Sequence, residues 1–282
     1  MVADEAHRTT GPVDSLFATA LDNTKFPANK RVFLTATPRL FTTTDDGDET
    51  VASMDDPDRY GDVVYTLSFG EAVDLGELAD YEVIVVAVDD PELRDLILNG
   101  GSLELEGLNR KVEGSTLTAL EGTLQAISEF GMTKIISFHS RIKRANDFAL
   151  AVPVFDQWRK TPVDARSVTV NGKMNAATRK KQVGWLEKGD DQPHILTNAR
   201  CLTEGIDVPS LDAIVFADPR RSQIDIVQAV GRVMRTNPNN PDKVGRIIIP
   251  LVVPNEEDID GDDAVSYTHL RAHETVLDLV CR

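Results

Sequence analysis

The sequence predicts an α/β fold built on parallel β-sheet, and two patterns predict it. Short apolar runs rich in Val, Ile and Phe recur along the chain, as strands buried on both faces require. Stretches with helical spacing of apolar residues separate them, and strand–helix alternation implies right-handed crossovers between parallel neighbours. The 282 residues, 41% of them hydrophobic, suffice for one large or two modest α/β domains with a real core.

Taken in order, the strand-like runs are Val32–Thr35, Glu82–Val88, Lys134–His139, Ser167–Val170, His194–Asn198, Ala213–Ala217 and Arg246–Val252. Ser115–Phe130 carries Leu117, Leu120, Leu124, Ile127 and Phe130 near helical spacing, and Gly131 supplies a stop. Ala176–Leu186 and Ser222–Met234 also read as helices. Arg39–Tyr60, polar and acidic, reads as a loop or excursion. The helix-like Glu71–Leu78 leads into the strand at Glu82, so a domain junction is expected within Gly70–Tyr81. No internal repeat is visible.

No apolar run approaches the roughly 18–20 residues of a membrane-spanning helix. Met1–Glu5 is too acidic for a signal peptide. Two cysteines, Cys201 and Cys281, cannot build a disulfide framework, which points to a reducing cytoplasm. The formal net charge is −16, from 46 Asp+Glu against 30 Lys+Arg, and taken alone it argues against a nucleic-acid binder. The charge is uneven, however. Thr42–Asp58 holds seven acids and no base, and Pro254–Ala264 holds six and no base. In Lys134–Lys188 the balance reverses, with twelve bases against four acids (Asp147, Asp156, Asp164, Glu187).

Three short constellations carry chemistry. Asp4-Glu5-Ala6-His7 offers adjacent carboxylates, the pair that phosphate hydrolysis uses to hold Mg²⁺ through water and to polarise an attacking water. Thr35-Ala36-Thr37-Pro38 places hydroxyls directly after the apolar Val32-Phe33-Leu34, where they could bond phosphate-site side chains or simply form an ST-turn. Gln228-x-x-Gly231-Arg232-x-x-Arg235 lies on an expected helix, and i, i+3 spacing puts both guanidinium groups on one face. Aligned guanidinium groups suit the charge of a transferring phosphoryl group. Each constellation standing alone would be weak. His269-x-x-x-His273 with Cys281 has zinc-like spacing but no Cys-x-x-Cys half, and no metal ligands are assigned there.

In this order and at these separations the constellations resemble the superfamily 2 DEAD/DEAH-box helicases and translocases, over most of residues 1–253. Asp4–His7 looks like motif II, Thr35–Thr37 like motif III, and Ile135–Arg141 like motif IV. Leu196–Pro209 looks like motif V and Gln228–Arg235 like motif VI. Ser53–Asp56 and Tyr65–Tyr81 narrow the likeness to bacterial proteins with helicase-associated domains and to the translocase part of type ISP restriction enzymes.

The resemblance implies RecA-like parallel sheets with ATP and Mg²⁺ as cofactors and DNA or RNA as partner. It makes Asp4 the Mg²⁺ organiser, through water, and Glu5 the general base. His7, Thr35 and Thr37 would couple the nucleotide site to the nucleic acid. Gly205, Asp207, Gln228 and Gly231 would shape the nucleotide cleft, with Arg232 and Arg235 as arginine fingers. Ser137, His139, Arg141, Thr197 and Asn198 would face nucleic-acid phosphates, although a histidine at a strand end can equally be satisfied internally. Arg141, Lys143 and Arg144, with Arg179, Lys180 and Lys181, could line a phosphate-tracking groove or form solvated faces.

Such a motor also needs a P-loop, Gly-x-x-x-x-Gly-Lys-Ser/Thr, and Asn171-Gly172-Lys173-Met174 does not supply one. The expectation is therefore a partial first RecA-like domain over 1–80 and a nearly complete second, helicase C-terminal domain over 81–255. An acidic linker and tail fill 256–282. The N-terminal half of the first domain is expected to be missing, which would leave the chain inactive alone. Val265–Thr275 resembles a translated sequencing adapter, so Val265–Arg282 is expected to be foreign to the protein. Two alternatives stand beside the helicase reading. One is the motor of a restriction-modification enzyme, with nuclease or methyltransferase domains elsewhere in the parent. The other is a non-catalytic nucleic-acid-binding module.

Overall fold

A computed structural model describes residues 1–41, 51–88, 95–96, 99, 101–105, 107–108, 110–199, 208–219 and 222–252. The chain divides into two compact units, Met1–Ser68 and Phe69 onward.

In the first unit, β1 (Val2–Ala3) pairs in parallel with β3 (Val32–Phe33), Val2 opposite Val32. The ladder runs on beyond both strands, because the Leu34 amide donates to Ala3 O and the Ala6 amide to Leu34 O, each at 2.9 Å. A 3₁₀ turn, Ala6–Thr9, follows β1 at once. Next, β2 (Gly11–Pro12) pairs antiparallel with β4 (Val51–Ala52). Helix α1 (Pro57–Tyr60) starts as its sequence dictates, with Pro57 in the first turn and the Asp56 side chain accepting from the Asp58 amide at 3.0 Å. Tyr60 then reaches back. The Thr9 hydroxyl gives its hydrogen to Ala6 O (2.7 Å), so the Tyr60 hydroxyl, 3.0 Å away, is the donor to Thr9. The Phe33 and Tyr60 rings meet at 4.9 Å.

The second unit opens with α2 (Phe69–Asp74), shorter than the expected Glu71–Leu78. Gly76, at φ +74°, lets the chain turn left-handed, and the Gly76 and Glu77 amides return to Val73 O and Ala72 O. This is a Schellman stop. The unit therefore begins ahead of the expected boundary at residue 80, because Phe69 and Val73 pack on its core.

The second unit's sheet has six strands, β5 (Asp80–Val88), β8 (Lys134–His139), β9 (Arg166–Asn171), β10 (His194–Ala199), β11 (Ala213–Phe216) and β12 (Val244–Val252). Their spatial order is β5-β12-β11-β8-β10-β9, and every pairing is parallel. A hairpin of β6 (Ser102–Glu104) and β7 (Lys111–Glu113) stands between β5 and the first long helix. That helix, α3 (Gly114–Phe130), buries Leu117, Leu120, Leu124 and Ile127 and stops at Gly131 in the left-handed conformation. Helices α3 and α4 (Ile142–Trp158) cover one face of the sheet. Helices α5 (Ala176–Glu187) and α6 (Gln223–Val233) cover the other. Adjacent strand residues alternate between the two cores, Ile135 to one and Ile136 to the other, as the pleat requires.

Helix α3 approaches β12 closely. A Cβ at Gly122 would lie 2.8 Å from the Pro250 ring. Gly122→Val should therefore lower stability by about 2 kcal/mol through overpacking, read as a lower urea midpoint with an unchanged slope.

Candidate functional site

Five of the singled-out residues meet at the carboxyl ends of β1 and β3. Asp4 follows β1 and is exposed, and its Oδ1 accepts the Glu5 amide at 2.9 Å. Glu5 sits at φ 51°, ψ 44°, a left-handed conformation that costs a non-glycine residue about 1 kcal/mol or more. His7 is buried, with Nδ1 3.2 Å from Thr35 Oγ1 and 3.3 Å from Glu5 Oε2. The Thr35 hydroxyl donates to Thr37 O at 3.0 Å and accepts the Thr37 amide at 3.3 Å. Its single hydrogen being committed, Thr35 can only accept from His7, so the imidazole carries its proton on Nδ1. His7 thus ties the acidic turn after β1 to the hydroxyl turn after β3.

This arrangement suits a particular kind of metal binding. Among the described residues no three metal-ligating side chains cluster. An exposed Asp4 beside a half-exposed Glu5 fits Mg²⁺ held largely by water and phosphate, and it does not fit an all-protein cage.

In the second unit, α6 presents a divided surface. Ile226, Ala229, Val230 and Val233 form its buried face. Gln228, Gly231 and Arg232 fall on the opposite face by helical spacing. A Cβ on Gly231 would meet no described atom within 4 Å. Packing therefore does not demand this glycine, which costs a helix about 1 kcal/mol relative to alanine. It leaves open space beside Arg232. The helix ends at Val233, one residue short of the expected Ser222–Met234, and Arg235, which the i, i+3 reading placed on the helix, lies beyond it. Leu78 forms an antiparallel bridge with Arg235, and the Ala79 amide takes Met234 O at 2.6 Å, which draws the chain off the helical path. Both arginines are half-buried.

The five residues expected to face nucleic acid separate. Only Arg141, at the N-cap of α4, is exposed. Ser137 is fully buried and lies 3.0 Å from His139 Nε2, and His139 packs edge-on against Phe148. Thr197 is fully buried and donates to Ala145 O at 3.0 Å, joining β10 to α4. Asn198 is also buried. Four of the five thus stand inside the sheet–helix layers, because strands covered on both faces leave no side chain free to reach a phosphate. Gly205 and Asp207 lie outside the described residues, as do Cys201, the His269–His273 pair and the Val265–Arg282 tail.

A further group had no motif to announce it. Asp218, buried just past β11, accepts the Ser140 amide at 2.7 Å, the Ser140 hydroxyl at 2.8 Å, and Arg144 Nη1. Arg144 also holds Glu113 through Nε (3.1 Å) and Nη2 (2.8 Å). Burial alone would raise the Asp218 carboxyl, but the Ser140 amide, the Arg144 charge and the Ser140 hydroxyl together hold it below its ordinary 3.8. The sequence signal was a lone aspartate directly after an apolar run. Arg144 is thereby spent internally and does not line a groove. Arg179 similarly donates to Met174 O at 3.0 Å, whereas Lys180 and Lys181 are exposed.

Comparison with known proteins follows this geometry. Residues 118–237 match the helicase conserved C-terminal domain. A protein of African swine fever virus named "Probable helicase" is 27% identical over 91% of this chain and 26% of its own length. The type I restriction enzyme EcoAI endonuclease subunit of Escherichia coli is 26% identical over 83% of this chain and 29% of its own. Among solved structures, the ATP-dependent type ISP restriction-modification enzyme LlaBIII bound to DNA matches 99% of this chain and 20% of its own at TM-score 0.77 and 28% identity. The chain thus spans about a quarter of the curated relatives it matches.

The Asp218 clamp predicts a specific pH dependence. Its folded pKa is lowered, so its contribution is present above the unfolded value and is lost as pH falls through the folded one. Arg144→Ala should cost roughly 2–3 kcal/mol at pH 7, and less below pH about 4, measured by urea unfolding across pH.

Proposed function

We propose that this superfamily 2 helicase-like chain, which carries a helicase C-terminal domain on a RecA-like parallel sheet, is part of an ATP-driven motor that moves along DNA. The reading places it in a restriction-modification enzyme whose nuclease or methyltransferase domains lie elsewhere in the parent protein. One observation carries it. The likeness to a DNA-bound type ISP enzyme extends over nearly the whole chain and so takes in both the acidic turn of the first unit and the arginine face of the second.

Bound MgATP would supply the phosphoanhydride that is cleaved. Asp4 would hold the metal through water, and Glu5 would accept a proton from the attacking water. His7, with its proton on Nδ1, would keep Glu5 and Thr35 in a fixed relation, so that a change at one turn is felt at the other. Arg232 and Arg235 would offset charge developing on the transferring phosphoryl group, with Gly231 leaving room for close approach. Arg141, Lys180 and Lys181, which are among the exposed cations of the basic stretch, would meet DNA phosphates.

Two measurements test the reading. The 282-residue chain should bind labelled duplex DNA at low salt and lose affinity steeply as salt rises. It should show negligible ATP turnover, since the sequence holds no P-loop; binding absent at low salt, or vigorous DNA-stimulated turnover, would count against it. In a version extended to include a P-loop, Glu5→Gln should lower kcat by at least about 10³-fold while leaving nucleotide affinity nearly unchanged. Turnover surviving that substitution would remove Glu5 as the base.

A further inference from the structure

We infer that Lys243 is a positioning residue, which fixes the end of the Gln228–Arg235 segment against the end of the Leu196–Pro209 segment and so sets where Arg235 stands. The inference rests on reading Arg235 as a phosphate-facing arginine. Its test does not need that reading to hold.

Lys243 is 5% exposed, although lysine is rarely buried without a partner. Its ammonium donates to Arg235 O at 2.7 Å and to Pro209 O at 2.9 Å. The two carbonyls belong to segments that are distant in sequence, and one cation bridges them. A backbone carbonyl bonded to a charged donor is held more firmly than one bonded to an amide. The surrounding chain is built to deliver this side chain. Asn240 and Lys243 amides return to Asn237 O and Asn240 O at 2.9 and 3.3 Å, which folds residues 237–243 into consecutive tight turns. Gly245 then brings the start of β12 against the end of α6, where a Cβ would lie 2.7 Å from Val233 O. That close approach fixes the distance from the Lys243 backbone to Arg235. On the far side, the bridge from Leu78 and the Ala79 amide on Met234 O hold the same turn. Arg235 is thus gripped from both directions, and Lys243 supplies the grip that involves Pro209.

Burial pushes the Lys243 ammonium down to about 8. Asp212, at the start of β11, opposes that effect, and the Arg235 guanidinium at the end of α6 adds to it. The charge is therefore present below pH about 8 and is lost as pH rises through it.

The experiment is NMR on the whole chain, comparing wild type with Lys243→Met, which keeps the stem but removes the donors, and with Lys243→Arg. In wild type the Arg235 Nε–H signal should shift with a midpoint near the Lys243 ammonium's own. In Lys243→Met that step should vanish. Exchange of the Arg235 and Leu211 amides should also rise roughly tenfold or more, while amides of β8 stay unchanged. Lys243→Arg should restore slow exchange. The inference is overturned if the Arg235 signal and both amides are unchanged in Lys243→Met, or if β8 amides accelerate equally. Should Lys243→Met fail to fold, the wild-type titration decides, and an Arg235 signal without a step near the lysine's midpoint overturns the proposal. A chain that passes these tests yet binds neither nucleotide nor DNA would defeat the motor reading and leave the role of Lys243 in positioning the backbone intact.

Discussion

A parallel strand can be followed by its neighbour only after the chain has recrossed the sheet, and that constraint governs the second unit. Each recrossing lays cover on one face, so β8, β10 and β11 are buried throughout almost their whole length. Register then matters greatly, because a one-residue slip would turn one core's side chains into the other. Two carboxylates secure it. Asp212, just before β11, accepts the Thr133 amide and hydroxyl and the Lys134 amide, each at 2.9 Å. Asp218, just after β11, takes Ser140. The two aspartates bracketing β11 thus clasp both ends of β8 and hold Ala213 opposite Ile135 and Phe216 opposite Phe138. The arginine face of α6 follows directly from β11, so its placement depends on this clasp.

The same burial explains why a count of charges misleads. The basic stretch suggested a broad groove, yet part of it is engaged within the fold. Arg144 serves Asp218 and Glu113, and Arg159 serves Glu121 at 3.2 Å. Lys134 donates to Glu187 O at 3.0 Å. Cations committed to internal carboxylates and carbonyls cannot also release counterions from DNA. The exposed cations of the stretch are Arg141, Lys143, Lys160, Arg166, Lys173, Lys180, Lys181 and Lys188.

What the sequence made legible follows from the range of the signal. Apolar runs are local, and the strands expected at Lys134–His139 and His194–Asn198 appear with at most a residue's change at their ends. Helix α4 was not legible. Pro153 lies inside it, and much of its buried face is the small residues Ala145, Ala149 and Ala151, which give a faint periodicity. In the first unit the resemblance singled out His7 and Thr35 for a coupling role, but neither their contact nor the protonated Nδ1 was legible, because both depend on how the two turns meet and where the Thr35 hydrogen goes. Arg235 read as the last turn of a helix because nothing local reveals that Leu78 and Ala79 will capture the chain there. Asp218 and Lys243 share that blindness. A single aspartate or lysine carries no mark of burial, and only the fold shows that each is enclosed and multiply bonded.

One rule of construction recurs in both units. Neighbouring parallel strands bring their carboxyl ends side by side, so residues just past two strands meet however far apart they lie in the chain. His7 and Thr35, which follow β1 and β3, are 28 positions apart. Ser140 and Asp218, which follow β8 and β11, are 78 apart. In each pair a short polar side chain is bonded to a titratable one at the mouth of the sheet, where ligands of open α/β folds bind. The pairs differ in what they leave available. Asp218 is buried and saturated by Ser140 and Arg144, so it can fix a loop but cannot take part in proton transfer. Glu5 is half-exposed on a strained turn, with His7 beside it. By this comparison the first unit's strand ends leave a carboxylate half-exposed, whereas the second unit's enclose theirs.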